Sequence, residues 1–240
     1  MSIHPPGLGE VGRRGFAAVL FDLDGTLIDS TPAVLRSWDL WAHERGLARL
    51  PIEIPHGVPA RQVLVDLVPA DEVESAFARI EAIERGQLDG ITVLPGAFAA
   101  LAALPAERAA IVTSGTPPLV QARLEVSALP APPLVITPDD VPRGKPDPAP
   151  YRLAAERLGL DPRDCLVVED AGAGLTSGRA AGCTTLALTT THTAADLAGC
   201  VPDAVIDSLA DVRFELLDGV VRVRPAEDRQ AAGYARSGER

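Results

Sequence analysis

Six short apolar, β-branched runs bounded by turn residues punctuate the chain: AAVLFD (17–22), RAAIVTS (108–114), PLVITP (133–138), DCLVVED (164–170), TTLALT (184–189) and DAVIDS (203–208). Between them lie segments of helical period, among them GAFAALAALP, PPLVQARLEVSAL, PAPYRLAAERLGL and AGLTSGRAAGC. Strands alternating with helices predict an α/β fold: a parallel sheet with helices on both faces. The runs are continuously apolar rather than alternating, which suits strands buried on both sides. The first gap, residues 23–107, is far longer than one crossover needs. It carries its own helical patterns over 32–47, 59–68 and 70–88 and no strand-like run. A small α-helical insertion over 32–94 is therefore expected, closed by LPGA (94–97), within a core formed by 15–31 and 95–225. A hairpin strand is expected within 216–225, with a flexible N-terminus over 1–14 and a disordered tail over 226–240.

Composition narrows the class. Of 240 residues 47% are hydrophobic, too many for a disordered chain. No apolar run approaches the roughly 18 residues of a membrane span. The net charge of −11 excludes nucleic-acid binding through bulk charge. Cys165, Cys183 and Cys200 form no CxxC pair, and the N-terminus has no apolar signal region, so a cytoplasmic protein with reduced thiols is expected. No oligomeric state is written in the sequence. Lys145 is the only lysine; the other 21 cations are arginine. A lysine that survives such a bias points to a place where arginine does not serve.

In an open parallel sheet, ligands gather beyond the carboxyl ends of the strands. There this chain places Asp22-Leu23-Asp24-Gly25-Thr26, Thr113-Ser114-Gly115-Thr116, Glu169-Asp170 and, past the third run, Arg143-Gly144-Lys145-Pro146. Four carboxylates on one sheet edge are costly unless cations offset them. Lys145 offers one charge; carboxylates without His or Cys partners favour Mg²⁺ for the rest. A divalent cation, an ammonium and hydroxyls beside a carboxylate suit a phosphoryl group. A strand-end Asp can take that group as nucleophile. A second Asp two residues on, turned by Gly25, can protonate the leaving oxygen and then activate water.

The motifs FDLDGTLIDS, VTSGT, RGKPDPAPY and VVEDAGAGL, in that order, resemble the four signatures of the haloacid-dehalogenase (HAD) superfamily of phosphatases, over about residues 15–225. The resemblance implies a Rossmann-like core with a mobile helical cap inserted after the first motif. It implies Asp22 as nucleophile, Asp24 as general acid/base, and Thr26 as a brace for their loop. Ser114, with Thr113 and the amide of Gly115, would bind the phosphoryl oxygens. Lys145 would neutralise the nucleophile–phosphate pair. Asp22, Asp170 and the backbone carbonyl of Asp24 would ligate Mg²⁺, with Glu169 acting through water.

Asp24 disfavours a dehalogenase, because members that dehalogenate lack an Asp at that position. IPHGVPARQVL, VTSGTPP and ITPDDVPRGKPDPAPY resemble the glycerol-phosphate and 2-deoxyglucose-6-phosphate phosphatases, which implies hydrolysis of small sugar or polyol phosphates. His56 and Arg61 are the corresponding cap candidates for substrate contact. A β-phosphoglucomutase-like mutase and a phosphoglycolate phosphatase are the alternatives. The cap has no lysine to hold a second phosphate, but Arg36, Arg45, Arg49, Arg61, Arg79 and Arg85 could replace it. A receiver-like phospho-Asp switch shares the charge constellation but lacks a large insertion after its first strand. Trp38 and Trp41 are expected to pack in the cap core, and the glycines of AGAGLTSG to permit close helix packing.

Overall fold

The computed structural model describes residues 8–226 apart from 49 and 53. The expected disordered tail over 226–240 lies almost wholly outside them. Residues 8–14, grouped by sequence with a flexible N-terminus, form turns that bury Val11 in the core.

The strands are β1 (Gly15–Phe16), β2 (Ala18–Phe21), β3 (Ile28–Asp29), β4 (Thr92–Val93), β5 (Ala109–Val112), β6 (Val135–Ile136), β7 (Cys165–Glu169), β8 (Thr184–Leu188), β9 (Ala204–Ile206), β10 (Val212–Leu217) and β11 (Val220–Pro225). The helices are α1 (Thr31–Glu44), α2 (Ala60–Val65), α3 (Val73–Gly86), α4 (Ala97–Ala102), α5 (Pro117–Ser127), α6 (Ala149–Arg157), α7 (Gly172–Ala181) and α8 (Ala194–Leu197). All six apolar runs join one parallel sheet of order β6-β5-β2-β7-β8-β9. Central β2 is in register with both neighbours, Leu20 facing Ala110 and Val167. Every residue of β2, β5 and β7 is buried, as continuous apolar runs require of strands covered on both faces. Val19 and Phe21 point into one apolar layer, which also holds Val120 of α5 and Phe214. Ala18 and Leu20 point into the other, with Tyr151 and Ala154 of α6.

Strand order fixes where a ligand can sit. From β2 the chain moves outward through β5 to β6, then returns to place β7 on the other side of β2. The loops after β2, β5 and β7 therefore diverge and leave a crevice at their carboxyl ends.

Between β3 and β4, which pair antiparallel with Ile28 opposite Val93, lie α1, α2 and α3. Pro32 in the first turn of α1 starts that helix without losing an intrahelical bond. Its buried residues Ala33, Ser37, Trp38, Trp41 and Ala42 recur at helical spacing. Trp38 and Trp41 pack edge to face at 5.7 Å and anchor a separate core with Val63, Leu64, Ile80 and Ile83.

The carboxyl-terminal end is richer than a single strand. β10 and β11 form a hairpin through Asp218-Gly219, both at positive φ, and β1 adds to it as a three-stranded antiparallel sheet. Positive φ at both turn positions matches the right-handed twist of the strands. No helix among the described residues is long and apolar enough to cross a membrane.

Leu20→Ala is expected to cost about 2–5 kcal/mol of unfolding free energy, because the surrounding layer cannot collapse onto the missing atoms. Val65→Ala, at an exposed position of α2, should change it by less than about 0.5 kcal/mol. Urea unfolding of both variants checks the contrast.

Candidate active site

Asp22 follows β2, Thr113 follows β5, and Glu169-Asp170 close β7, so three strand ends deliver their polar groups to the crevice. The turn after Asp22 has a strict steric demand. Gly25 sits at φ +87°, and a Cβ there would lie 2.3 Å from Asp170 Oδ2. The turn lets Thr26 donate to Asp170 Oδ1 at 3.0 Å, and Thr191 donates to Asp170 Oδ2.

Lys145 arrives from the loop after β6 and is 1% exposed. Its three N–H groups are all used: to Asp22 Oδ1 at 2.5 Å, Glu169 Oε1 at 2.5 Å and the Val112 carbonyl at 2.7 Å. Three donors spread from one nitrogen need a compact ammonium, which a planar guanidinium does not mimic. The survival of this single lysine thus has a geometric reason. Glu169 Oε1 also accepts from Tyr151 Oη at 2.7 Å, and a Cβ on Gly174 would lie 1.7 Å from that oxygen. The glycine-rich start of α7 is there for Glu169.

Asp22, Glu169 and Asp170 are buried, with one carboxylate oxygen each within a 4.8 Å span. Burial, reinforced by Glu169, holds the Asp22 carboxyl well above the usual range, although Lys145 pulls it down. Burial and Glu169 push Asp170 up to about 7. Burial alone would depress Lys145, but Asp22 and Glu169 outweigh it and raise it above its ordinary value. Three buried carboxylates against one ammonium leave negative charge uncompensated. An all-oxygen donor set of that charge fits a hard divalent cation such as Mg²⁺.

Asp24 points to the other side of the loop. Its Oδ1 accepts from Ser30 Oγ at 2.6 Å and its Oδ2 pairs with Arg123 Nη1 at 2.8 Å. Both aspartates line a cavity of about 600 Å³ enclosed by the β2 and β5 loops, α1, α3 and the segment 54–63. Ser114 and Gly115 line it as well, but two of the expected phosphate donors already have partners within the protein. The Gly115 N–H donates to Thr113 Oγ1 at 3.0 Å, and Ser114 Oγ donates to the Gly57 carbonyl at 2.8 Å.

His56 and Arg61 both line the cavity. The His56 ring stands edge to face with His192 at 5.6 Å, and burial followed by His192 lowers its pKa. Arg61 pairs with Glu74 and lies 4.4 Å over the Phe77 ring, so its guanidinium is held within the helical layer. Arg123 and Glu84 escape motif reading, and Ser30, the last residue of FDLDGTLIDS, is given no role by it; for Arg123 and Glu84 the stripe they sit on is informative. Arg123 shares a buried face of α5 with Leu119 and Val120, and Glu84 shares one of α3 with Ile80 and Ile83. A charge on an apolar stripe is the one sequence signal that marks them.

A family model described as haloacid dehalogenase-like hydrolase matches residues 16–182. The chain belongs to that family. This HAD-like hydrolase is 46% identical over 183 residues to hexitol phosphatase A of Escherichia coli strain K12, covering 73% of this chain and 82% of that one. It is 35% identical over 189 residues to glycerol-1-phosphate phosphohydrolase 2 of Saccharomyces cerevisiae, covering 72% and 75%. The crystal structure of a hydrolase from Pseudomonas syringae superposes with a TM-score of 0.73 at 25% identity, covering 81% of this chain and 94% of that one.

The buried carboxylates make stability depend on pH in a definite direction. Asp170 has an ordinary value of 3.8 and a folded value of about 7, so between them the folded state binds the extra proton. Its contribution is full below about pH 4 and is lost as pH rises through about 7. Thermal unfolding in chelator should therefore show the protein less stable at pH 8 than at pH 5.5, with a shallower fall in Asp170→Asn.

Proposed function

We propose that this HAD-like hydrolase is a cytoplasmic, Mg²⁺-dependent phosphatase of small sugar or polyol phosphate monoesters. The reading rests on Asp22, held by Lys145 at 2.5 Å beside the cavity that Asp24 also lines. It is supported by 46% identity to a chain named hexitol phosphatase A. Three free cysteines suit a reducing compartment.

The chemistry follows from the placement. Lys145 favours the ionised form of Asp22 against its burial and Glu169, and in that form a carboxylate oxygen attacks phosphorus while the bond to the leaving alkoxide oxygen breaks. Asp24 gives its proton to that oxygen, and a neutral alcohol departs. Water then attacks the phosphoryl group on Asp22 while Asp24 takes its proton. The acyl phosphate P–O bond breaks, returning Asp22 and releasing phosphate. Asp22, Asp170 and the Asp24 carbonyl would hold Mg²⁺, which when bound neutralises and orients the transferring group. An indirect part for Glu169 agrees with its bonds: Oε1 to Lys145 and Tyr151, Oε2 to the Ala171 N–H at 3.4 Å. Within this reading α1–α3 act as a cap over 32–94 that excludes water, and Ser114 with its neighbours meets the phosphoryl oxygens once Gly57 withdraws.

The far wall of the cavity speaks for an uncharged leaving group. Trp38, Phe77, Val34 and Val63 give it apolar faces, and Glu81 there, with Asp139 from the loop after β6, gives acceptors for hydroxyl groups. A second phosphate or a carboxylate would meet these carboxylates, and the two arginines that line the cavity, Arg61 and Arg123, already face Glu74, Asp24 and Glu84; Arg85 is not among the lining residues. Arg36 bonds the Asp89 carbonyl, while Arg45, Arg61 and Arg79 pair with Glu72, Glu74 and Glu44. Arg49 lies outside the described residues. Hydrolysis of a monophosphate is therefore favoured over mutase transfer and over phosphoglycolate.

Phosphate release across a panel of esters tests this, with Asp22→Asn as blank. Glycerol, hexitol and hexose 6-phosphates are expected to react with Mg²⁺ at a kcat/KM at least about tenfold above phosphoglycolate and hexose bisphosphates. Removal of Mg²⁺ should abolish release. Isomerisation of β-glucose 1-phosphate without release would establish the mutase instead, and a preference for phosphoglycolate would overturn the charge argument.

A further inference from the structure

Arg123 is a buried cation that the four motifs do not account for. It lies on α5, about two turns beyond the loop after β5, with a side chain only 6% exposed. Nη1 meets Asp24 Oδ2 at 2.8 Å, and Nη2 lies 3.5 Å from Glu84 Oε1 on α3. Nε is buried and has no hydrogen-bond partner among the described residues. A guanidinium at this depth is tolerable only with carboxylates to offset it, and removing either side strands the other. Its two carboxylates belong to different parts of the molecule. Asp24 is on the core loop, whereas Glu84 is on the helical layer, where burial first, against the pull of Arg123, raises its carboxyl to about 7. The contact is reinforced nearby, since Thr116 at the start of α5 donates to Glu81 of α3. Asp24 is held at its other oxygen too, by Ser30 of the core, between β3 and α1.

We propose that Arg123 is a positioning residue that holds Asp24 in place for proton transfer, and that Glu84 makes this hold depend on the docking of α3 against the core. The ion-pair partners of Arg123 are Asp24 and Glu84, and it acts through Asp24. With α3 docked, the guanidinium is fixed between two carboxylates and Asp24 has both oxygens restrained. With α3 displaced, Arg123 loses its second anchor, so its guanidinium is free to swing and holds Asp24 in no single orientation. Acid/base help is then available only while the cavity is closed to water, which couples the proton-transfer group to closure without any contact between Glu84 and the reacting atoms.

This rests on the acid/base reading of Asp24, and the experiment separates the two. Full-length Arg123→Gln, Arg123→Lys, Glu84→Gln and Asp24→Asn are compared with the parent at saturating Mg²⁺. Two substrates are used, a glycerol phosphate and p-nitrophenyl phosphate. The aryl leaving group departs as a stable anion and needs no proton, so its kcat/KM reports phosphorylation of Asp22 without the acid. Arg123→Gln should lower kcat/KM for the glycerol ester at least about 30-fold and for the aryl ester less than about threefold. KM should stay within about threefold, and Arg123→Lys should recover part of the loss. Glu84→Gln should bias the two esters in the same sense by about fivefold. If Arg123→Gln fails to fold, as judged by circular dichroism, Arg123→Lys and Glu84→Gln carry the same ester comparison. Equal losses on both esters, or a raised KM with unchanged kcat, would overturn the proposal while Asp24→Asn remains inactive on the glycerol ester. Asp24→Asn that keeps glycerol-ester turnover within about tenfold would instead remove the acid/base reading, and the proposal with it.

Discussion

Lys145 stands among more negative charge than it can neutralise. Its ammonium bonds Asp22 and Glu169 at 2.5 Å each, with Asp170 buried beside them. Water cannot screen these groups, because Asp22, Glu169, Asp170 and Lys145 are each at most 3% exposed. The architecture around them reads as the means of keeping such a cluster together. Central β2 and β7 set the carboxylates at adjacent strand ends, and β6 with its following loop brings the lysine across from the other side of β5. Gly25 and Gly174 keep the surrounding backbone close enough to Asp170 and Glu169 that a Cβ would collide with either. A sheet buried on both faces supplies the rigidity that a strained ionic cluster needs.

The same cluster sorts the two aspartates of the loop. Both line the cavity, but Asp22 is tied to Lys145, whereas Asp24 is held by Ser30 and Arg123. Two carboxyl groups two residues apart are thus given different partners and can take different parts in phosphoryl transfer, one as nucleophile and one as proton carrier. The helical layer contributes to the second environment and not to the first. Glu84 and the Gly57 carbonyl reach the cavity side, while Lys145, Glu169 and Tyr151 are core residues throughout.

What could be read from the sequence was whatever has a period or a fixed spacing. Six continuous apolar runs became the six strands of the parallel sheet, because strands buried on both faces need nothing else. The helices of the long first gap announced themselves through stripes such as Ala33, Ser37, Trp41. The strand-end carboxylates and the lone lysine could be collected on one edge by topology alone. Contacts between segments far apart in sequence could not. Arg123 and Asp24 are 99 positions apart, and no local pattern links them. Equally hidden was the state of the loop after β5, where Thr113 and Gly57 take hydrogen-bond partners that motif reading reserves for phosphate. The three-stranded antiparallel sheet is legible only in part: a hairpin strand within 216–225 covers the end of β10, the turn and β11, whereas β1 is two residues long and gives no pattern of its own.

The account turns on a covalent bond between phosphorus and Asp22. Its most direct test is rapid acid quenching of the enzyme during turnover of a polyol phosphate, followed by peptide mass spectrometry. A phosphoryl group on the peptide carrying Asp22, absent from Asp22→Asn and chased by further turnover, is the predicted result. Full turnover with no phosphorylated peptide at any quench time, or active Asp22→Asn enzyme, would contradict it.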